Sequence, residues 1–440
     1  KAALLTVNDG DTLDGGAGTD TLNMEINANV TDKFKTSNIE KVNVTSYGTN
    51  SVDMKNMTGV TEFTTTGSTN TINVNNIGSA TMAFGFAGST TNTIVANHTA
   101  GVLAGTSDVL TVNLNTAKAA TLTTGAGFES AKINVTGTND LGGFTAPGVS
   151  TLVLEGTGSL NANDDFTSVG TLTATGMTGA LTTGTVGTDG FVDKVITGAT
   201  AGSSILLGSG ADNIGFSNTG ATGSSTIKLG AGNDKLEFNA AGAAVYVFGE
   251  AGDDSISAIT SPLASTDMID GGAGNDTLIL DGSAANSAMV MRSIENVTVT
   301  GSGAADKAQD FTNDDSATAI TFKAVDNSIV NLAGLSAGST VKVDKATGFT
   351  GAVDALTVGF ANTEAAATID VNADIDGAMS TSNITAVTYD FAEAVATGTV
   401  QSTNATSLTI TAAKGFVRST IEATDDKLTS VSITGSDKVT

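Results

Sequence analysis

Five glycine-rich turns, each ending in aspartate, recur along this chain in one register and limit what it can fold into. Two match the frame G-G-x-G-x-D-x-U-x at every defined position, where U is a large apolar residue: 15–23 (GGAGTDTLN) and 271–279 (GGAGNDTLI). Three more lack a single glycine of that frame: 207–215, 229–237 and 249–257. Since glycine permits positive φ angles, each hexamer predicts a tight turn with converging carbonyls, followed by a short strand that buries U.

The spacing of the turns indicates one row of carboxylates. Asp212, Asp234, Asp254 and Asp276 are separated by 22, 20 and 22 residues. The half-turns between them keep the strand pattern but have no equivalent Asp, so we expect one row and not two. Carbonyl oxygens with a carboxylate are the ligands that Ca²⁺ takes, six to eight oxygens at a time. The alternative is a set of plain Gly-Asp turns that bind nothing.

The rest of the chain alternates in the manner of half-buried β-strands. Val, Ile and Leu alternate with Thr, Asn and Ser in segments such as KVNVTS (41–46), AKINVTG (131–137) and SLTITA (407–412). Many of these segments lie about 18 to 24 residues apart, the interval expected of a solenoid. Helical signals are weak, although 363–379 could hold a short helix. The sequence therefore predicts an all-β, elongated stacked-strand, β-solenoid-like protein with a parallel right-handed calcium β-roll.

Four regions follow from this pattern. We expect the end of a calcium roll at 1–25, a strand-rich solenoid-like region at 26–185, the main β-roll at 186–282 and a second strand-rich region at 283–440. The chain opens with Lys1 and stops within a strand pattern, so we expect a fragment of a larger protein.

A longer unit is also duplicated. The turns at 15–20 and 271–276 are followed by SNIEKVNVTS and RSIENVTVTG, and GFESAKINVTG (127–137) repeats the tail alone. These segments carry Glu40, Glu295 and Glu129 at the same place. The simplest interpretation is that these glutamates are solvated residues at the start of a strand.

Composition excludes several function classes. The formal net charge of −26 argues against a nucleic-acid partner, because phosphates are repelled. The chain has no Cys and one His, His98, which removes thiol chemistry and the H-E-x-x-H zinc motif. Acid pairs at 163–165, 313–315 and 424–426 are typical of loops, and His98 is expected at a strand end in a structural role. We therefore predict no enzyme activity, no catalytic residues and no membrane insertion.

The nonapeptides resemble the RTX family, whose repeats bind calcium in a parallel β-roll. That resemblance implies several Ca²⁺ ions between stacked turns, and an incomplete site at Asp20, where a stacked partner is scarce. The implied ligands, five sets in chain order, are Gly15, Gly16, Gly18 and Asp20; Gly208, Gly210 and Asp212; Gly230, Gly232, Asn233 and Asp234; Gly249, Ala251, Asp253 and Asp254; and Gly271, Ala273, Asn275 and Asp276.

The wider pattern is similar to the RTX-bearing surface-layer proteins of Gram-negative bacteria. They are rich in Ala, Thr, Gly and Asn, acidic, and free of Cys. The resemblance implies type I secretion, folding outside the cell on Ca²⁺ binding, and a partner that is the protein itself, in a two-dimensional surface lattice. Family members anchor to lipopolysaccharide through a region that is not evident in this sequence. The alternative is a calcium-rigidified extracellular adhesin or an RTX passenger module.

Overall fold

The computed structural model of the chain is all-β. It describes residues 7, 9–88, 91–162, 166, 169–183, 196–240, 242–258, 262–304, 306–349, 351–364, 366–373, 375–392, 399–412, 420–423 and 427–435. Within these ranges every regular element is a strand, and no helix is long and apolar enough to cross a membrane. The strands stack in parallel as a β-solenoid with about 18 turns in all. The predicted all-β fold of stacked parallel strands is confirmed.

The chain divides into two compact units. Unit 1 comprises Lys1–Ser217 with Ala221–Gly232, and unit 2 comprises Asn218–Gly220 with Asn233–Thr440. The predicted boundaries at 25, 185 and 282 stay predictions.

Unit 1 contains 21 strands among its described residues. They are β1 (Thr12–Asp14), β2 (Thr21–Ile26), β3 (Lys35–Ser37), β4 (Lys41–Ser46), β5 (Asn50–Asp53), β6 (Glu62–Thr66), β7 (Ile72–Ile77), β8 (Ala83–Ala87), β9 (Thr93–His98), β10 (Val109–Asn115), β11 (Ala120–Thr124), β12 (Ser130–Thr136), β13 (Thr138–Thr145), β14 (Thr151–Gly156), β15 (Ser159–Ala162), β16 (Thr171–Met177), β17 (Leu181–Thr182), β18 (Ile196–Thr197), β19 (Ser204–Leu206), β20 (Asn213–Ser217) and β21 (Ser225–Lys228).

These strands form two long parallel sheets and one short one. The first sheet runs β2-β4-β6-β8-β10-β12-β14-β16-β19-β21. The second runs β5-β7-β9-β11-β13-β15-β17, and both β17 and β18 pair with β20. Strand β1 pairs with β3. Because the chain alternates between sheets, each strand stacks on the strand one solenoid turn away.

Unit 2 contains the remaining described strands. They are β22 (Lys235–Asn239), β23 (Val245–Phe248), β24 (Ser255–Ala258), β25 (Met268–Asp270), β26 (Thr277–Asp281), β27 (Val290–Arg292), β28 (Asn296–Thr300), β29 (Gln309–Asp310), β30 (Ala319–Ala324), β31 (Ile329–Leu335), β32 (Thr340–Lys345), β33 (Val353–Glu364), β34 (Ala367–Asn372), β35 (Ile375–Ile384), β36 (Ala386–Phe391), β37 (Thr399–Thr403), β38 (Ser407–Ala412), β39 (Thr420–Ala423) and β40 (Ser430–Gly435).

Three parallel sheets organise unit 2. One runs β22-β24-β26-β28-β30-β32-β34-β36-β38-β40, the second β23-β25-β27, and the third β29-β31-β33-β35-β37-β39. The short helix considered for 363–379 was wrong, since β34 and β35 occupy most of that segment. The alternation of Ile369 and Val371 with polar residues decides the matter, because it suits a pleated strand with one buried face.

The solenoid interval seen in the sequence is the length of one turn. Val109 of β10 pairs with Ser130 of β12, for example, and Thr21 of β2 pairs with Lys41 of β4. In many strands alternate residues are buried, as the buried and half-buried positions of β12 illustrate. The interiors are packed with aliphatic side chains and with buried aromatic rings such as Phe84, Phe128 and Phe322.

His98 ends β9, as predicted. Its half-buried ring packs edge-on between Phe84 and Phe128, with ring centroids 6.3 and 5.3 Å away. Burial lowers the pKa of the imidazole, and the charge of Asp108 partly opposes that shift. The structural role expected for His98 is confirmed.

Candidate metal centre

In unit 2, the aspartates of successive glycine turns form a buried ladder immediately before the strands β22, β24 and β26. Asp234, Asp254 and Asp276 are at most 2% exposed. Oδ1 of Asp254 accepts a hydrogen bond from the backbone N–H of Asp234 at 2.8 Å, and Oδ1 of Asp276 accepts one from the N–H of Asp254 at 2.8 Å. The parallel stacking places one carboxylate per turn, as the spacing of the turns predicted.

The second carboxylate oxygen of Asp254 lies close to a carbonyl of the following turn. A β-carbon on Gly249 would overlap both the carbonyl oxygen of Gly271 and Oδ2 of Asp254. Oδ2 of Asp254 is buried and has no hydrogen-bond partner among the described residues. Two acceptor oxygens therefore face one small volume that only glycine leaves open, and a cation is the partner that such a pair lacks.

The same arrangement recurs at the last of these turns. A β-carbon on Gly271 would overlap the carbonyl oxygen of Ser293 and would lie 2.6 Å from Oδ2 of Asp276. That Oδ2 is also buried without a hydrogen-bond partner in the described part of the chain. Since Gly249 and Gly271 have no positive φ angle, it is close packing and not backbone conformation that requires glycine at this position.

A second, exposed ladder runs beside the buried one. The Asn233 side chain accepts a hydrogen bond from the N–H of Asp253 at 3.0 Å, and the Asp253 side chain accepts one from the N–H of Asn275 at 2.9 Å. Ala251 and Ala273 form a parallel bridge at the turn tips, and the Ala273 carbonyl accepts the N–H of Gly252 at 2.9 Å. These predicted ligand residues thus make contacts between turns along the outer edge.

Unit 1 contains the turns at 207–212 and 229–232. The carboxylate of Asp212 is 3% exposed and accepts a hydrogen bond from the N–H of Leu181 at 2.6 Å. Gly230 and Gly232 have φ angles of 99° and 124°. A β-carbon on either would overlap a carbonyl oxygen one turn away, that of Gly208 or Gly210. The boundary between the units falls after Gly232, so Asn233 and Asp234 belong to unit 2.

The N-terminal turn of unit 1 repeats the geometry with a different partner. Gly16 and Gly18 have φ angles of 87° and 129°. A β-carbon on Gly15 would overlap the carbonyl oxygen of Asn38. The N–H of Asp20 donates to Oε2 of Glu40 at 2.8 Å, and Oδ2 of Asp20 is buried with no hydrogen-bond partner among the described residues. The predicted shortage of a stacked partner at Asp20 is thus met by the turn that contains Asn38 and Glu40.

The interpretation of the three glutamates as solvated residues was wrong. Glu40, Glu129 and Glu295 are half-buried, and each accepts the backbone N–H of an Asp one turn earlier: Asp20 at 2.8 Å, Asp108 at 2.8 Å and Asp276 at 2.7 Å. The signal was present in the spacing, since Glu40 follows Asp20 by 20 residues, the same interval as between Asp234 and Asp254.

Sequence reasoning also missed Asp14, Asp108 and Asp270. Asp14 and Asp270 directly precede the two complete GG motifs, and their side chains accept the N–H of Gly16 at 3.1 Å and of Gly272 at 3.2 Å. The shared DGG triplet was a usable signal. Asp108 has no such signal, because its turn lacks the glycine pattern.

Burial makes the aspartate carboxylates of these turns costly in the absence of a counter-charge. Burial raises the pKa of Asp254 to about 7; the hydrogen bond from the Asp234 N–H opposes this, and the neighbouring Asp234, Asp276 and Asp253 add to it. Burial likewise raises the pKa of Asp212 to about 6, against hydrogen bonds from the backbone of Leu181 and Gly208. The pKa of Asp276 is raised by burial and by the charge of Glu295.

The donor atoms that the described residues bring together at these turns are oxygens, which suits a hard cation. No group of three or more His, Cys, Asp or Glu side chains is placed to hold a metal within the described residues. Each cradle instead offers one carboxylate oxygen and one carbonyl oxygen of the next turn, which suits Ca²⁺ better than the thiolate or imidazole sites of Zn²⁺.

The acid pairs noted in the sequence lie elsewhere. Asp314 accepts the N–H groups of Ser316 and Ala317 at 2.9 and 3.0 Å, as a turn-forming residue does. The pairs at 163–165 and 424–426 lie outside the described residues.

Comparisons of the chain with protein-family models, with curated proteins and with solved structures find no match.

Proposed function

We propose that this protein is a calcium-dependent structural protein that folds outside the cell and forms the repeating subunit of a two-dimensional surface layer. One observation carries the calcium part: buried Asp carboxylates stack one per turn, each with an oxygen facing a carbonyl across a glycine, at Asp254 and again at Asp276. The lattice part is supported by the sequence resemblance, which the parallel solenoid is consistent with.

Calcium would act through charge and linkage. Asp20, Asp212, Asp234, Asp254 and Asp276, with carbonyls of the glycine turns, would hold the ions. Bound Ca²⁺ supplies the positive charge that offsets carboxylate repulsion. Because the cradle joins two turns, binding favours the folded stack over the unfolded chain. Extracellular calcium modules bind with dissociation constants on the order of 10⁻⁴ to 10⁻³ M, so a chain of this kind would stay unfolded in the cytosol and fold after export.

Electron microscopy tests the assembly. Protein at high concentration is dialysed into calcium and, in parallel, into chelator, and both samples are imaged. We expect ordered sheets in calcium that dissolve in chelator. Separate calcium-bound particles that never form sheets would favour the adhesin or passenger-module alternative, and particles with the same fold and melting temperature in chelator would contradict the calcium requirement.

A further inference from the structure

Three short turns, each ending in glutamate, follow aspartate-bearing turns of the solenoid. They are Asn38-Ile39-Glu40, Gly127-Phe128-Glu129 and Ser293-Ile294-Glu295. In each, the first residue has a positive φ angle, of 51°, 122° and 50° respectively, and the middle residue is buried. We refer to these three segments as the glutamate turns.

Two glutamate turns complete an oxygen cradle that the preceding aspartate turn begins. The Ser293 carbonyl oxygen and Oδ2 of Asp276 both lie next to Gly271, on the side where a β-carbon would project. The Asn38 carbonyl oxygen likewise faces Gly15 of the Asp20 turn, where an added β-carbon would lie 2.7 Å from Cβ of Asp20. In the ladder of unit 2 the carbonyl of Gly271 has this place beside Asp254, so a glutamate turn supplies the oxygen that another glycine turn would supply.

The unsatisfied oxygen sits in the same place. Asp276 is 0% exposed, and its Oδ2 has no hydrogen-bond partner among the described residues while facing the Ser293 carbonyl. Its Oδ1 is occupied by the N–H of Asp254. Two buried acceptors with no donor between them repel each other unless a cation lies within reach of both.

The glutamate itself holds the aspartate in position. Oε2 of Glu295 accepts the N–H of Asp276 at 2.7 Å, as the carboxylate of Asp276 does for Asp254. Glu295 also places a negative charge near Asp276, although its own turn has no nonapeptide motif. The Glu295 carboxylate therefore has the position and charge that a further Asp turn would provide.

The third glutamate turn lacks the unsatisfied oxygen. Glu129 accepts the N–H of Asp108 at 2.8 Å, but Oδ2 of Asp108 accepts the N–H of Gly105 in its own turn at 3.2 Å. Asp108 and Glu129 thus make the same backbone-to-glutamate hydrogen bond as the other two pairs, but Oδ2 of Asp108 already has a hydrogen-bond donor. They form a control within the same chain.

We propose that Asp20 and Asp276 each bind a calcium ion in a site closed by a glutamate turn, with Asn38 or Ser293 supplying a carbonyl ligand and Glu40 or Glu295 as the positioning residue. This inference rests on the proposed function, which supplies the cation. If instead each pair of stacked glycine turns held one calcium ion, Glu295 would have no role and Asp20 would form only a partial site.

Calcium binding by the whole chain, measured by isothermal titration calorimetry and equilibrium dialysis, tests this. Glu295→Gln keeps an acceptor for the Asp276 N–H but removes the charge, so one site should weaken by roughly tenfold or more, the size expected for a residue behind a metal ligand. Glu129→Gln is the matched control and should bind calcium like the parent. Asp20→Asn should lose one ion, and Asp108→Asn should lose none.

The melting temperature without calcium distinguishes a role of the Glu295 charge in cation binding from a purely structural role of its side chain. If Glu295 is only a structural cap, Glu295→Gln leaves calcium binding unchanged. If it closes a cation site, the variant melts no lower than the parent in chelator, because a repulsion with Asp276 is removed, yet it melts lower than the parent in calcium. Parent-like binding by both Glu295→Gln and Asp20→Asn would overturn the inference. A parent chain that binds no calcium would instead overturn the proposed function on which it rests.

Discussion

Oδ1 of Asp276 accepts the backbone N–H of Asp254 at 2.8 Å, so the carboxylate of one turn holds the backbone of the turn before it. Asp254 repeats this towards Asp234. In Asp254 and Asp276, Oδ1 therefore accepts a hydrogen bond from the turn before, while Oδ2 faces a carbonyl of the turn after. This division of one carboxylate between two turns explains why the residue recurs once per turn.

Replacing Asp254 should be severe. Asp254→Ala removes the acceptor of the Asp234 N–H and the oxygen that faces the Gly271 carbonyl. We expect a loss of roughly 3 kcal/mol in the free energy of unfolding in calcium, because a buried donor is left unsatisfied and a ligand is lost. Asp253→Ala, on the exposed ladder, should cost about 1 kcal/mol or less. Denaturant unfolding of both variants in calcium checks this, and equal losses would contradict it.

Gly249→Ala should destabilise by steric overlap. A β-carbon there meets the Gly271 carbonyl oxygen and Oδ2 of Asp254. We expect a cost of about 2 kcal/mol or more from forced displacement in a packed site, together with weaker calcium binding. Gly125→Ala is the control, because no atom lies near its β-carbon position and its φ angle is not positive. Thermal melts of both variants provide the measurement, and a Gly249→Ala protein that melts like Gly125→Ala would count against the cradle.

The pH dependence without metal should be opposite to that of an ordinary paired carboxylate. The pKa of Asp254 in the fold is about 7, above its ordinary value of 3.8, so the folded state binds the proton more tightly. That contribution to stability is fully present below the ordinary value and is lost as the pH rises through about 7. The metal-free protein should therefore melt higher at about pH 5 than at about pH 8, and Asp254→Asn should flatten that difference. A metal-free parent that melts at a lower temperature at the acidic pH would contradict a raised pKa at Asp254.

Glu237 marks a destabilising residue on β22. Its side chain is fully buried, and neither carboxylate oxygen has a hydrogen-bond partner in the described part of the chain. Burial raises its pKa. Glu237→Met should raise the free energy of unfolding by ~1–3 kcal/mol, because it removes an unpartnered buried carboxyl while keeping the length of the side chain. Lys235→Met, exposed on the same strand, should change it little. Chemical denaturation of both variants is the measurement, and a Glu237→Met protein that is less stable than the parent would contradict this prediction.

Much of the fold could be predicted from the sequence, because two periodicities agree. Alternation such as that around Val42 and Val44 specifies strands, and the interval of about 20 residues between related strands specifies the turn length. The placement of Asp254 and Asp276 on successive turns followed from the same register. The role of Glu295 was missed although it follows Asp276 by 19 residues, close to the length of one turn, because its own turn omits the glycines and is three residues shorter. Asp108 was invisible for the same reason.

The melting temperature of the parent chain across a calcium titration, with magnesium in parallel, tests the central claim most directly. If the buried carboxylate row binds calcium, the melting temperature rises continuously with calcium into the millimolar range, by mass action on the folded state. Magnesium should have little effect, because it demands a small octahedral shell and keeps its waters. A melting temperature that is the same in chelator and in saturating calcium would contradict the account.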